Sequence, residues 1–177
     1  LWGALYRQYF EEIQQVTASK GALQVEKKLF VERNNGQGIE LQPVTDGTPL
    51  HKGDKVIVRL TLRADRDMEY VHLKDLRAGC FEPTQQMAGS SYKDGLWMYH
   101  APEDAAEHFF IHRLPKGTFV LEYAVYTERS GNYSGGISTI QCLYAPEFVS
   151  HTAGSKILVH ASCVTGVGMI KLLTLWL

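Results

Sequence analysis

The sequence predicts an all-β fold, an antiparallel β-sandwich of about seven to eight strands with an immunoglobulin-like architecture. Three observations favour this fold class. Two long segments alternate apolar and polar residues, turn-forming residues recur between the alternating segments, and few segments have helical spacing. Because successive side chains of a strand point to opposite faces, each alternating segment offers one face to a core and the other to solvent.

The clearest alternation is in KVIVRLTLR (55–63) and TFVLEYAVYTER (118–129), where every second residue is apolar. A shorter segment, GISTIQCLY (136–144), continues the pattern with Ile140 and Cys142 on one face. The residues that these segments predict to be buried are Val56, Val58, Leu60, Leu121, Tyr123, Ile140 and Cys142.

Four further strands are predicted at LQVEKKLFVE, MEYVHLKDL, LWMYHA and EHFFIHRL. Turn signals separate them, including NNG at 34–36, KDG at 93–95 and PKG at 115–117. The stretch from Cys80 to Ser91 contains Pro83 and has no clean period, so we expect a long loop there. RSGNYSGGIS (129–138) is expected to be the hairpin tip that joins the last two long strands.

We expect the chain to divide into three parts: an N-terminal segment 1–20, the sandwich over 21–160, and an atypical tail 161–177. In LWGALYRQYFEEI the aromatic and aliphatic residues have helical spacing, which by itself favours a helix over residues 2–13. The tail has Lys171 as its only charge and is too short to span a bilayer. Since the chain opens on Leu1, we expect it to be a piece of a longer protein.

Composition and charge exclude several classes of function. The formal net charge is -1 and no basic stripe runs along any segment, so nucleic acid is not an expected partner. Cys80, Cys142 and Cys163 are too few for a disulfide framework and form no C-x-x-C pair. Structural zinc is therefore not expected.

Cys142 is the residue that raises the question of nucleophilic catalysis. A catalytic thiol needs a lowered pKa and a base within reach, and no neighbour in IQCLYAPEF supplies either. The alternation with Ile140 instead turns Cys142 into the core, where a free thiol packs as a small apolar group. We expect Cys142 to be inert, and we expect no catalytic residue in the chain.

The histidines and aspartates do not predict a metal site or a cofactor. His108 and His112 are four apart, but on a strand that spacing separates them by about 13 Å, too far for one zinc ion. Asp65 and Asp67 form only a fragment of a calcium loop. Both pairs are expected to be surface residues.

The strand segments from about Leu23 to Val159 resemble, in order and spacing, the C-terminal end of bacterial alpha-2-macroglobulins. The resemblance is carried by the strands quoted above and by two longer stretches, GDKVIVRLTLRADRDMEYVHLKDLRAGCFEP and FFIHRLPKGTFVLEYAVYTERSGNYSGGISTIQCLYAPEFVSH. It implies the last macroglobulin-like domain of such a protein, itself a β-sandwich. It also implies that segment 1–20 is an extended segment leaving the preceding domain, so that LWGALYRQYFEEI is an extended strand rather than a helix.

The resemblance implies a protease trap, in which a large envelope protein is cleaved, changes shape and holds the protease, often through a reactive thioester. Neither Cys-x-x-Gln nor Cys-x-Glu-Gln occurs in this chain. In relatives the last domain packs on the thioester domain and shields its bond from water, and the residue before YAPEF is often Met. Here that residue is Leu143. Since Cys142 points inward, Leu143 should point outward beside Tyr144, with Pro146 ending the strand.

We therefore expect a non-enzymatic domain that contacts the thioester domain through Leu143 and Tyr144 and contributes to endopeptidase inhibition. Its partners would be the other domains of the parent chain and, indirectly, target proteases. The resemblance implies a periplasmic or cell-envelope location, with any signal or lipid anchor upstream. The alternative that the strand pattern leaves open is an autonomous immunoglobulin-like module that binds protein or carbohydrate.

Overall fold

A computed structural model of the chain describes residues 12–13, 16–18, 21–93 and 95–161. Within these residues no helix has the length and apolar character needed to cross a membrane. Strands dominate the described part of the chain. They are β1 (Leu23–Asn34), β2 (Ile39–Val44), β3 (Leu50–His51), β4 (Lys55–Ala64), β5 (Met68–Leu76), β6 (Phe81–Pro83), β7 (Gly89–Lys93), β8 (Leu96–Pro102), β9 (Ala106–Leu114), β10 (Gly117–Thr127), β11 (Gly131–Ser134), β12 (Ser138–Cys142), β13 (Ala145–His151) and β14 (Lys156–His160).

The strands form two large sheets and one small sheet. The five-stranded sheet has the order β2-β1-β4-β10-β6, and the six-stranded sheet has the order β13-β12-β5-β9-β8-β7. Every pairing in both large sheets is antiparallel. A three-stranded sheet, β11-β14-β3, contains a parallel pair between β14 and β3. The predicted antiparallel sandwich is confirmed.

One hydrophobic cluster fills the space between the two large sheets. The five-stranded sheet contributes alternating residues of β1, β4 and β10, and the six-stranded sheet contributes those of β5, β9 and β12. Of the residues predicted to be buried, Tyr123 alone is only partly buried, packed against the cluster. The others, Val56, Val58, Leu60, Leu121, Ile140 and Cys142, are all buried.

The seven segments predicted as strands from their alternation are all strands, namely β1, β4, β5, β8, β9, β10 and β12. The predicted number of strands is nevertheless too low, because fourteen are present in the described residues. The additional strands are short or lack an apolar face; β2, for example, is exposed along almost its whole length. Alternation reports burial of one face, so a strand with neither face buried gives no such signal.

Two predicted connections are wrong. The stretch from Cys80 to Ser91 is not a continuous loop, because it contains β6 and the start of β7. RSGNYSGGIS is not a hairpin tip either, since β10 and β12 lie in different sheets and β11 within it pairs with β14. β6 and β11 each pair with a segment distant in sequence, β10 and β14 respectively, which local turn signals do not indicate.

The terminal predictions fall mostly outside the described residues. This holds for the choice between strand and helix over residues 2–13, for most of the extended segment 1–20, and for the tail beyond residue 161, including Cys163.

Candidate functional site

Leu143 and Tyr144 form the two-residue turn of a β-hairpin. β12 ends at Cys142 and β13 begins at Ala145, and these two residues face each other across the ladder. Pro146 therefore does not end the strand, as the sequence had suggested, but lies within the returning strand β13. Since β13 is the edge strand of its sheet, the missing amide hydrogen of proline can be tolerated there.

The alternation of β12 correctly predicts which way the residues of this hairpin point. Cys142 is 7% exposed, and its thiol donates a hydrogen bond of 3.1 Å to the carbonyl oxygen of Glu69. Leu143 is 49% exposed and Tyr144 is 79% exposed. The turn thus presents two apolar side chains to solvent.

The neighbouring strand β5 has an unusual backbone at Tyr70. Met68 and Val71 are both buried although they lie three positions apart, whereas a regular strand would place them on opposite faces. Tyr70 resolves this conflict by adopting a φ of 54°, the left-handed region that side chains other than glycine rarely occupy. Glu69 and Tyr70 are consequently both exposed. This conformation costs on the order of 1–3 kcal/mol.

Tyr70 contacts the turn through its backbone and its ring. Its carbonyl oxygen accepts a hydrogen bond of 2.9 Å from the amide of Leu143. Its ring meets the Tyr144 ring edge-on, with 4.8 Å between centroids, and meets the His112 ring in the same way at 4.7 Å. Such edge-to-face pairs stabilise a defined ring orientation.

An aromatic surface continues from the turn across the outer face of the six-stranded sheet. Tyr99 on β8 lies opposite Phe110 on β9, which in turn lies opposite His72 on β5. Trp97 is 57% exposed at the far side, and Tyr99 and Phe110 are also exposed. The residues that line a shallow groove of about 300 Å³ on this face are Tyr70, Val71, Trp97, Tyr99, Phe110, Ile111, His112 and Leu143.

Two histidines border this aromatic surface. His72 and His108 are hydrogen-bonded between ring nitrogens at 2.9 Å, and His72 stacks on Phe110 with 4.7 Å between centroids. Burial lowers the pKa of His72, and the neighbouring His108 and Lys74 lower it further. His112 is exposed, whereas His108 is only partly so and lies 3.4 Å from Glu103. The described residues contain no group of three His, Cys, Asp or Glu side chains placed to hold a metal ion.

Comparison with known protein families gives one match. The family model for the bacterial alpha-2-macroglobulin MG10 domain matches residues 23–147, more than half of the chain. The chain belongs to this family. The MG10 match covers β1 to β12 and the Leu143–Tyr144 turn. A comparison with curated proteins finds no match.

Solved structures share the fold of this MG10 domain. A Salmonella alpha-2-macroglobulin reacted with methylamine is 20% identical, with a TM-score of 0.65 over 81% of this chain. A native Escherichia coli alpha-2-macroglobulin fragment from domain MG7 to the C-terminus is 15% identical, with a TM-score of 0.63 over 81% of this chain. The present chain spans 10% of the former and 24% of the latter.

The sequence predicted Leu143 and Tyr144 as site residues but missed Tyr70, Trp97 and Phe110, which the structure places on the same face of this MG10 domain. The sequence does contain a signal for two of these residues. Trp97 and Phe110 are aromatic residues at solvent-facing positions of alternating strands, where polar residues are usual.

Proposed function

We propose that this MG10 domain packs on the thioester domain of its parent chain and shields the thioester from water through Leu143 and Tyr144. The observation that carries the proposal is the exposure of these two apolar side chains on a turn that adjoins an aromatic surface. Burying such a surface against another domain is favourable because apolar area leaves water.

An apolar cover suits the protection of a thioester. Hydrolysis needs water at the bond, and packed apolar side chains exclude water. Leu143, Tyr144, Tyr70 and Trp97 carry no charge, so their burial requires no ion pair from the partner.

The domain is proposed to act without catalysis, as one part of a chain that inhibits endopeptidases. The two cysteines in the described residues support the absence of catalysis. Cys142 is buried, and burial raises the pKa of Cys80 to about 11, which disfavours the reactive thiolate. The periplasmic or cell-envelope location and the trapping of proteases belong to the same proposal.

The test uses a full-length parent protein that carries a thioester. Leu143→Ala should hasten spontaneous hydrolysis, measured as free-thiol release over time relative to the unaltered protein. Leu41→Ala is the matched control because Leu41 is exposed on β2 of the opposite sheet. Equal rates of thiol release for Leu143→Ala and Leu41→Ala would refute the shielding role.

A further inference from the structure

We infer that Tyr70 is a positioning residue, which presets the Leu143–Tyr144 turn in the conformation that docks. Its effect on the turn stands on the geometry of this chain alone. Its effect on docking rests on the proposed function.

The backbone at Tyr70 is fixed by the core rather than by the tyrosine ring. Met68 and Val71 are both buried, so one residue between them must leave the regular strand conformation. The facing strand β9 shows the same break, because Ile111 and Leu114 are both buried and also lie three apart. Two pairs of buried residues therefore hold Tyr70 in its left-handed conformation, a situation in which strain persists at a functional position.

This conformation aims backbone acceptors at the end of β12. The carbonyl oxygen of Glu69 accepts a hydrogen bond from the Cys142 thiol, and the next carbonyl oxygen, that of Tyr70, accepts one from the Leu143 amide. Two consecutive residues of β5 thus bind the two consecutive residues at which β12 becomes the turn. A change of φ at Tyr70 would redirect its carbonyl group.

The Tyr70 ring acts separately, on the second residue of the turn. It lies between the rings of Tyr144 and His112 and meets both of them edge-on. Tyr144 is 79% exposed, so this contact restricts a side chain that the rest of the domain leaves largely in solvent. A turn that is already ordered loses less conformational freedom when a partner covers it.

Backbone and ring can be separated by substitution. Tyr70→Gly removes the ring but favours the left-handed conformation, because glycine has no Cβ. Tyr70→Val removes the ring and also disfavours that conformation, because its side chain is β-branched. Tyr70→Phe retains the aromatic ring, and its backbone preference is that of tyrosine.

The first experiment measures amide hydrogen exchange of Leu143 in the 177-residue chain, as a ratio to the exchange of Leu76. The Leu76 amide donates to Ile137 and lies at the far end of β5. We expect the ratio to rise about fivefold in Tyr70→Val, the loss of one net hydrogen bond, and to stay unchanged in Tyr70→Gly and Tyr70→Phe. An unchanged ratio in Tyr70→Val overturns the inference. If Tyr70→Val does not fold, Tyr70→Ala is interpreted in the same way.

The second experiment measures free-thiol release from a thioester-bearing parent. Tyr70→Gly should hasten release, and Tyr70→Phe should restore the rate of the unaltered protein. A normal rate in Tyr70→Gly, in a protein where Leu143→Ala is fast, overturns the role of the Tyr70 ring. If Leu143→Ala itself has no effect, the shielding proposal fails, while the exchange ratio still decides whether Tyr70 positions the turn.

Discussion

The ammonium group of Lys27 lies 2.7 Å from the carboxylate of Asp75, which is 0% exposed, and this ion pair joins the two large sheets. Lys27 belongs to β1 of the five-stranded sheet and Asp75 to β5 of the six-stranded sheet. The Asp75 carboxylate also accepts hydrogen bonds from the hydroxyl groups of Tyr123 and Ser138, at 2.5 and 2.7 Å. A buried carboxylate with this many donors is well compensated. Its removal leaves the Lys27 ammonium group without a counter-ion, with the carbonyl oxygens of Leu76 and Gly135 as its remaining acceptors.

Asp75→Ala should lower the free energy of unfolding by about 3–5 kcal/mol, the usual cost of breaking a buried ion pair. Urea unfolding of the 177-residue chain measures the loss. Asp65→Ala is the control, because the Asp65 carboxylate pairs with the neighbouring Arg66 at the surface and its loss should change stability little. A loss for Asp75→Ala no larger than that of the control would show that the pair does not hold the sheets together.

Alkaline pH should destabilise the folded chain through Cys80. Burial raises the pKa of Cys80 from 9.0 to about 11, so between these values the unfolded chain releases a proton that the folded chain keeps. The free energy of unfolding should therefore fall as pH rises from 9 to 11. Cys80→Ala should make this decline shallower in urea unfolding at pH 8, 9 and 10.

The difference between the unaltered chain and Cys80→Ala at pH 7 gives the cost of lost packing, which does not depend on pH. Curves that stay parallel from pH 7 to 10 would contradict the titration of Cys80. Burial and the neighbouring Asp75 also raise the pKa of Tyr123 well above its usual value, so its contribution has the same sign but begins at higher pH.

Leu143→Ala should cost far less stability than a core substitution. Leu143 is half exposed on its turn, whereas Leu73 on the adjacent strand is completely buried. Leu73→Ala should lower the free energy of unfolding by ~2–5 kcal/mol, and Leu143→Ala should fall well below that range. Similar losses in urea unfolding would mean that Leu143 packs within its own domain instead of serving an interface.

Whether a strand could be predicted from the sequence depended on whether one of its faces is buried. β4 and β10 were predicted because each has one face in the core, which imposes complete alternation. β2 was missed because Ile39 and Leu41 are exposed, so its apolar residues mark no buried face. The strand order could not be predicted either, since β12 lies beside β5 rather than beside β10.

At the candidate site, the sequence predicts the direction of the side chains only where the strand alternates regularly. The alternation predicts that Leu143 points outward because Cys142 points inward. It does not predict the exposed turn in the backbone at Tyr70, because MEYVHLKDL as one regular strand would place Met68 and Val71 on opposite faces. The apolar residues Met68 and Val71, three apart, were the local signal of a break.

Lys27 and Asp75 lie at the same alternating positions as the buried residues of their strands, so the sequence pattern indicates that both point inward. Their pairing depends on how the two sheets pack against each other, and no local sequence pattern indicates that packing.

Gly136→Ala should destabilise the chain more than Gly47→Ala. Both glycines have a left-handed backbone, with φ of 71° and 93°, so alanine is strained by about 1 kcal/mol or more at either position. A Cβ at Gly136 would also lie 2.1 Å from the carbonyl oxygen of Leu76, whereas one at Gly47 has no atom within 4 Å. The carbonyl group of Leu76 belongs to the backbone of β5. The clash is therefore relieved only by moving β5 or the segment before β12. Urea unfolding of both variants measures the difference, and equal losses would mean that the chain relaxes around Gly136 without cost.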